Sequence, residues 1–556
     1  MGHTKVDQWL QGSELMRDLP DEVLNEVREF AEGQLASIKE LVKIGMALSA
    51  EKKLERLLEM IVTEARRFTN ADGGTLYIKN DNDHLEFKII QNDSLGVRVG
   101  GTGEHITWQP VPLLDAKGKE NHNNVSAHCA LIGKAINIED VYDADFDFQG
   151  TRKFDANTGY RSKSMLLVPM RGHEDEVIGV LQLLNAQDHE TGKVVAFDDL
   201  EIDDITSLAS QAAIAITNVR LVAELEGLLD AFLKVIATAI DEKSPYTGGH
   251  ISNVAELTLR LAEAVNNDQD GSFAEVSFSE DELAELKMAA WLHDIGKVTT
   301  PEYVVDKATK LETIFDRLEL VKARVEILKR DVEIRKLKAK LAEHEIEPEG
   351  VEEECKRLDE MAGFMEEVNV GGEALSDDKV DSIRQIAQTL LQVKGRHVPL
   401  LNEDEVQNLS IRKGTLTDEE REIINNHVRL THQMLAKLPF PKKLEKVPDY
   451  AVMHHEKLDG TGYPNALLAG QIPLQARILA VADVFEALTA ADRPYKKGKK
   501  ISVSMKILSA MVEANHLDHD ICDLLVRSGL VKEYGNEKIS LRQRDDFEWQ
   551  GKTYSM

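Results

Sequence analysis

Residues 291–297 read WLHDIGK, and the His293-Asp294 doublet inside them decides how the second half of the chain is read. The apolar spacing before the doublet predicts a helix over 281–297. Adjacent helical residues point about 100° apart, so His293 and Asp294 cannot both lie in one apolar face. Beside Trp291, Leu292 and Ile295 they place two polar groups at the edge of a core. Such groups need partners, and a metal ion supplies one. Imidazole with carboxylate, without thiolate, suits divalent first-row ions such as iron or manganese. An aspartate can bridge two ions with its two oxygens. Two ions about 3.5–4 Å apart share a hydroxide of lowered pKa and clamp a phosphodiester for in-line attack.

Working outward, five further residues have the same chemistry. His250 follows Thr247-Gly248-Gly249 at a helix start, and His427 lies in a helix that opens with the capping box Thr417-Asp418-Glu419-Glu420. His454 and His455 lead into HHEKLDGTGYP (454–464), and Asp483 lies in ILAVADVFEALTAADRPY (478–495). A lone histidine is more often structural than a ligand. Seven groups of ligand type, set in helices that can converge in a bundle, reverse that weighting. Gly460-Thr461-Gly462-Tyr463-Pro464 is dense in turn formers; alone it would be a surface turn, but after a double histidine it reads as a loop held close to a ligand. Residues 493–500, RPYKKGKK, carry five basic side chains and no acid, an island that would attract a dianion or simply be solvated.

These motifs together resemble the HD-GYP family of bacterial cyclic-dinucleotide phosphodiesterases, over about 241–520. The matching stretches are TGGH (247–250), HDIGK (293–297), His427, HHEKLDGTGYP and ADVFEALTAADRPYK (482–496). The resemblance implies an all-α domain and hydrolysis of cyclic di-GMP to linear pGpG or GMP, or of 3′,3′-cyclic GMP-AMP. It implies two divalent ions held by His250, His293, Asp294, His427, His454, His455 and Asp483, with Asp294 and Lys297 catalytic. It also implies substrate contacts from Lys297, Gly462, Tyr463, Pro464, Arg493 and Lys496. Trinuclear members carry glutamate four residues before the first histidine; here that residue is Tyr246, which favours a dinuclear centre. The segment between Asp483 and Arg493 is one residue longer than the family pattern. A degenerate, catalytically silent interaction module is the competing reading, and the complete ligand set argues against it.

The remaining chain divides around this region. Residues 1–50 read as a polar helical segment. Over 51–222 a helix (Leu54, Leu57, Leu58, Ile61, Ala65, Phe68) leads to strands at 74–79, 85–91, 165–170 and 177–184, an α+β pattern with a mostly antiparallel sheet. TRKFDANTGYRSKSMLLVPM (151–170) followed by VIGVLQLLN (177–185) resembles the GAF family of sensor domains, which implies a pocket for a small ligand such as a cyclic nucleotide. A helix over about 199–243 carries Ile205, Leu208, Ala212, Ala215, Val219, Val222, Leu225, Leu229, Phe232 and Ile236, a coiled-coil seam with one short step at Val222–Leu225. That seam fits a parallel homodimer, or equally a helix facing a core. An insert of about 301–411 interrupts the motif blocks. Within it, Leu311, Ile314, Leu318, Val321, Val325, Leu328 and Val332 predict a helical hairpin over 311–368, with 369–410 irregular. Residues 521–556 read as a C-terminal extension.

The chain has 556 residues with 67 Lys+Arg against 98 Asp+Glu, a net charge of −31 that excludes a general nucleic-acid-coating role. Cys129, Cys355 and Cys522 lie far apart with no CxxC pair, which excludes a thiolate zinc site or a disulfide framework and fits a reducing cytoplasm. No run of 18 apolar residues occurs, so no membrane span is expected.

Overall fold

A computed structural model describes residues 20–242, 249–342, 348–371, 374–490 and 498–556. The chain divides between Leu228 and Leu229 into two units. In the first, α1 (Asp21–Ala50) and α2 (Leu54–Phe68) precede strands β1 (Ala71–Lys79), β2 (His84–Asn92), β3 (Val97–Gly100) and β4 (Val111–Pro112). Helix α3 (Val125–Ile132), β5 (Ile136–Ile138), α4 (Gln149–Thr158), β6 (Met165–Arg171), β7 (Val177–Gln187) and β8 (Val194–Val195) follow, and the long α5 (Asp199–Asp241) begins in the first unit and ends in the second. The strands form one antiparallel sheet in the order β3-β2-β1-β7-β6-β5, with β4 on β2 and β8 on β7. Alternation along the central β1 explains the two layers: Leu76 and Ile78 pack with Leu57, Ile61 and Leu208, while Tyr77 faces Val125 and Phe148 on the other side. The α+β pattern read from the sequence is thus present.

The seam of α5 splits in two. Ile205, Leu208, Ala212 and Ala215 are buried in the core of the first unit, whereas Val222, Leu225, Leu229 and Phe232 are exposed. The core-facing reading holds for the first half of the helix, and burial of the seam ends at the short step. The DANTGYR stretch (155–161) is held by its own neighbours. Asp155 accepts bonds from Ser162 N (3.0 Å), Ser162 Oγ (2.8 Å) and Tyr142 OH (3.0 Å); Tyr160 donates to Asp72 (2.6 Å); and the Arg161 guanidinium lies 3.5 Å over the Tyr142 ring.

The second unit contains α6 (His250–Asn266), α7 (Glu280–Leu292), a 3₁₀ turn (Ile295–Thr299) and α8 (Glu302–Val305). An insert then supplies α9 (Leu318–Leu341), α10 (Pro348–Asn369), α11 (Asp377–Ala387), the strand pair β9 (Leu390–Val393) and β10 (Arg396–Pro399), and α12 (Glu403–Leu409). The chain continues through α13 (Asp418–Asn425), α14 (His427–Leu435), α15 (Val447–Val452), α16 (Leu474–Thr489), α17 (Ile501–Glu513), α18 (His519–Arg527), α19 (Leu530–Lys538), β11 (Phe547–Trp549) and β12 (Lys552–Tyr554). Val254, Leu261, Phe485, Met505, Leu525, Tyr534 and Trp549 share one core, so residues beyond 520 complete the helical unit instead of trailing from it.

The insert departs from the sequence reading in two ways. Its first helix begins at Leu318, not Leu311: Leu311 is buried in a loop and Ile314 is 94% exposed. Residues 374–410 form helices and a strand pair, because Leu375, Val380, Ile383, Leu400 and Leu409 close over Val321, Val325 and Met365 in a core of their own. The two ends of the insert meet. Lys307 Nζ bonds both oxygens of Glu420 (2.9 and 2.7 Å) and Asn408 Oδ1 (2.8 Å), and Thr415 Oγ1 donates to the Lys307 carbonyl (2.9 Å).

Lys310, beside that junction, is 1% exposed, and its ammonium donates to the Leu409 carbonyl at 3.1 Å. Burial, and then the charge of Lys379, pushes its pKa from 10.5 down to about 8. Between those values the unfolded chain holds a proton that the folded chain lacks, so stability rises with pH across that window; below it, both states are protonated and the full penalty persists. Lys310→Met is expected to raise the melting temperature at pH 7 and to remove the rise between pH 8 and 10. Thermal melts of both proteins check this, and parallel pH profiles would refute it.

Candidate metal centre

Each motif residue is delivered by the end or inner face of a helix. Helix α7 opens with a capping box, Ser279 with Glu282, and stops at Leu292. Asp294 turns the backbone out of the helix (φ −105°, ψ 8°) into the 3₁₀ turn that carries Lys297. The helix expected over 281–297 is thereby shortened, and Lys297 reaches the site by this turn. His250 is the first residue of α6, behind left-handed Gly249 (φ 89°), whose N–H is capped by Asp241 (3.2 Å). His427 opens α14, His454 and His455 follow α15, and Asp483 lies on the buried face of α16.

The structure brings all seven together. His293, Asp294, His427 and His454 are each 3% exposed or less. Asp294 Oδ2 lies 3.2 Å from His293 Nε2 and 3.7 Å from His250 Nε2, while Oδ1 lies 3.3 Å from His427 Nε2 and 4.0 Å from His454 Nε2. Asp483 Oδ1 is 3.3 Å from His250 Nε2, and the His454 and His455 ring centroids are 4.0 Å apart. Two triads, His250–His293–Asp294 and His427–His454–His455, each gather donor atoms within 4.8 Å of one another, and each can hold a metal ion. One carboxylate faces both, an oxygen to each.

The donor atoms are oriented as ligands. Nδ1 of His293 bonds the Ala290 carbonyl (2.7 Å), that of His427 the Ile424 carbonyl (2.5 Å) and that of His454 the Ala451 carbonyl (2.7 Å). A carbonyl only accepts, so each Nδ1 carries the proton and each Nε2 presents a lone pair inward. Those three Nε2 atoms and Asp294 Oδ1 are buried without a hydrogen-bond partner. Buried lone pairs of this kind are costly unless matched, and a cation matches all of them. The donor set therefore fits divalent metal.

Electrostatics follows the same lines. Burial alone would raise Asp294, but Lys297, His293 and His250 hold its carboxyl well below the usual range. Burial would raise Asp483 too; the bond and charge of His250 bring it far down. Burial holds His454 well below its ordinary value and pushes His455 down to about 4. Lys297 Nζ contacts Asp294 Oδ2 at 2.5 Å. Lys297→Ala is expected to lower turnover roughly 10²-fold while metal content stays near wild type. Metal counting beside steady-state rates checks it, and parallel loss of metal would make the lysine structural.

The loop after His455 closes one side. Tyr463 stacks on His455 (centroids 4.8 Å, 30° between planes), and burial, then Asp294 and Asp483, raises its phenol pKa. Gly462 is required by a close approach: a Cβ there would lie 2.3 Å from Lys457 N and 2.5 Å from Glu456 Cα. Glu456, which the sequence reading passed over, holds the loop by accepting from Asn465 N (2.7 Å) and Leu467 N (2.9 Å). Glu486, also passed over, contacts His250 Nδ1; its only sequence signal is its place one turn after Asp483. Pro464 lies in the same loop, whereas Arg493 and Lys496 fall outside the described residues.

Comparison with known proteins places both units. Residues 53–216 match the GAF domain model, and residues 247–367 and 353–521 match two models of the HD domain. The chain carries a GAF domain followed by an HD region. It is 38% identical over 100 residues to the cyclic di-GMP phosphodiesterase response regulator RpfG of Xanthomonas campestris, covering 18% of this chain and 26% of that protein. It is 38% identical over 120 residues to 3′3′-cGAMP-specific phosphodiesterase 1 of Vibrio cholerae, covering 21% and 26%. It is also 38% identical over 118 residues to a cyclic di-GMP phosphodiesterase of Pseudomonas aeruginosa, covering 21% and 27%. The chain thus spans about a quarter of the length of these curated relatives. The GAF domain of an Acinetobacter phosphoenolpyruvate-protein phosphotransferase aligns with 34% of this chain and 98% of its own at 14% identity and a TM-score of 0.25. Among the described residues, no helix is long and apolar enough to cross a membrane.

Proposed function

We propose that this chain is a metal-dependent phosphodiesterase that hydrolyses a cyclic dinucleotide, cyclic di-GMP, to linear pGpG or GMP. The observation that carries the reading is Asp294, with one oxygen toward each histidine group. His250, His293, Asp294 and Asp483 would hold one divalent ion, and Asp294, His427, His454 and His455 a second, with iron or manganese suited to these ligands. When bound, such ions supply a water of lowered pKa as nucleophile and positive charge against the phosphodiester. The chain's own residues do the rest. Lys297 adds an ammonium beside Asp294 that can meet a phosphate oxygen. Glu456 fixes the loop, so that Gly462, Tyr463 and Pro464 flank the substrate and Tyr463 keeps water from the His455 side. Arg493 and Lys496 would add charge for the second phosphate.

A second reading, 3′,3′-cyclic GMP-AMP as substrate, is supported by the equal identity of relatives named for either compound. Regulation extends the proposal. The GAF domain would take a small ligand such as a cyclic nucleotide, and the exposed second half of the α5 seam would pair with its copy in a cytoplasmic homodimer. Because α5 runs unbroken from Asp199 to Asp241, a shift of its register would reach Gly249 through Asp241. The test is anaerobically purified protein, metal-counted and offered both cyclic dinucleotides, with products separated by chromatography. Protein holding two ions per chain that cleaves neither compound would refute the reading.

A further inference from the structure

Three of the buried ligand histidines are oriented by a backbone carbonyl three residues earlier, and His250 is not. It opens α6 behind left-handed Gly249, and its Nδ1 meets the Glu486 carboxylate. Glu486 is 2% exposed, and its other oxygen accepts from Asn253 Nδ2 at 3.3 Å. Asp483 and Glu486 stand one turn apart on α16, so one helix face supplies both a group on the Nε2 side of His250 and a group on its Nδ1 side.

We infer that Glu486 is a positioning residue that sets the tautomer and ring orientation of His250, and that it strengthens this histidine selectively as a metal ligand. The inference rests on the metal-centre reading above. The argument is one of donors and acceptors. His250 Nδ1–H and the Asn253 amide both donate toward residue 486, so two acceptors are needed there. An ionised carboxylate offers two; a carboxamide offers one acceptor and a clashing donor. A carboxylate behind an imidazole also raises the ring's basicity toward a metal, and loss of such a partner typically costs about 10–100-fold in affinity. Because His250 gathers with His293, Asp294 and Asp483 but not with the His427 triad, the cost should fall on one of two ions.

The test is a manganese titration of metal-stripped full-length protein, with stoichiometry and both affinities measured and apo melting recorded alongside. Glu486→Gln should weaken one of the two ions about 10–100-fold, leave the other within about twofold, and change apo melting little. Glu486→Asp, which keeps the charge but withdraws it by one methylene, should fall between Gln and wild type, and carries the test should the Gln variant not fold. Asn253→Ala, which leaves the carboxylate on His250, should bind both ions nearly as wild type does. Unchanged affinities in Glu486→Gln, or equal weakening of both ions, would overturn the inference while leaving the metal centre standing. Wild-type protein that binds no manganese would overturn both.

Discussion

Asp294→Ala is expected to release both metal ions and lower hydrolysis by roughly 10³-fold or more, with the helical unit still folded. The size of the effect comes from a single side chain serving two groups. Oδ2 faces His293 and His250, Oδ1 faces His427 and His454, and Lys297 is held beside it. Asp483 cannot take over both contacts, because it is held against His250 Nε2 at 3.3 Å. The fold should survive because the core of Val254, Phe485 and Leu525 is built without the carboxylate. Asp294→Asn separates shape from charge and should retain partial metal content with little turnover. Elemental analysis, circular dichroism and turnover measured together check this; an alanine variant with two ions per chain and wild-type rates would refute the assignment.

The second large effect is expected at a residue with no side chain. In Gly296→Ala, the added Cβ would stand 2.0 Å from the His427 carbonyl oxygen and 2.8 Å from Thr431 N and Oγ1. These are mostly backbone atoms and cannot swing aside, so the turn and α14 must separate. Their contact is also bonded: Gly296 N donates to Thr431 Oγ1 (3.0 Å), which donates onward to the His293 carbonyl (3.2 Å). Overpacking of this kind costs about 1–3 kcal/mol or more, which is roughly 1–5 °C in melting temperature for a unit of this size. The same separation moves His427 away from Asp294, so metal affinity should fall with stability. Thr431→Val, which removes the hydroxyl but adds nothing near Gly296, should cost less on both measures. An alanine variant that melts and binds metal like wild type would show that the turn is not held by α14.

The candidate ligands stood out in the sequence because each chemical type sat beside a helix boundary or a periodic run: His293 and Asp294 after Leu292, His427 after a capping box, Asp483 within an apolar face. The residues behind them carry no such mark. Glu456 and Glu486 look like any charged side chain in a chain rich in acids, and only the fold shows that each is buried and turned inward. The early end of α7 was hidden for a related reason. Apolar spacing continues through Ile295, but the conformation at Asp294 belongs to the site and not to the helix. In the insert the heptads of α9 were visible, whereas Leu375, Val380 and Leu400 are too scattered along the chain to announce a core. In α5 one spacing runs through a buried and an exposed stretch, and burial alone separates Ala212 from Leu225.

The junction at Lys307 bears on how such a chain can change over time. More than a hundred residues leave the helical unit after Lys307 and return by Thr415 and Glu420, which bond back to that same lysine. The excursion begins and ends at one point and keeps its own apolar core. Lengthening a loop whose ends are already pinned adds only logarithmically to the entropy of closure. An ancestral unit could therefore have acquired the insert, and descendants could exchange or enlarge it, without moving His293 relative to His427. The insert can thus change length without disturbing the site, whereas the turn at Gly296 has no such room.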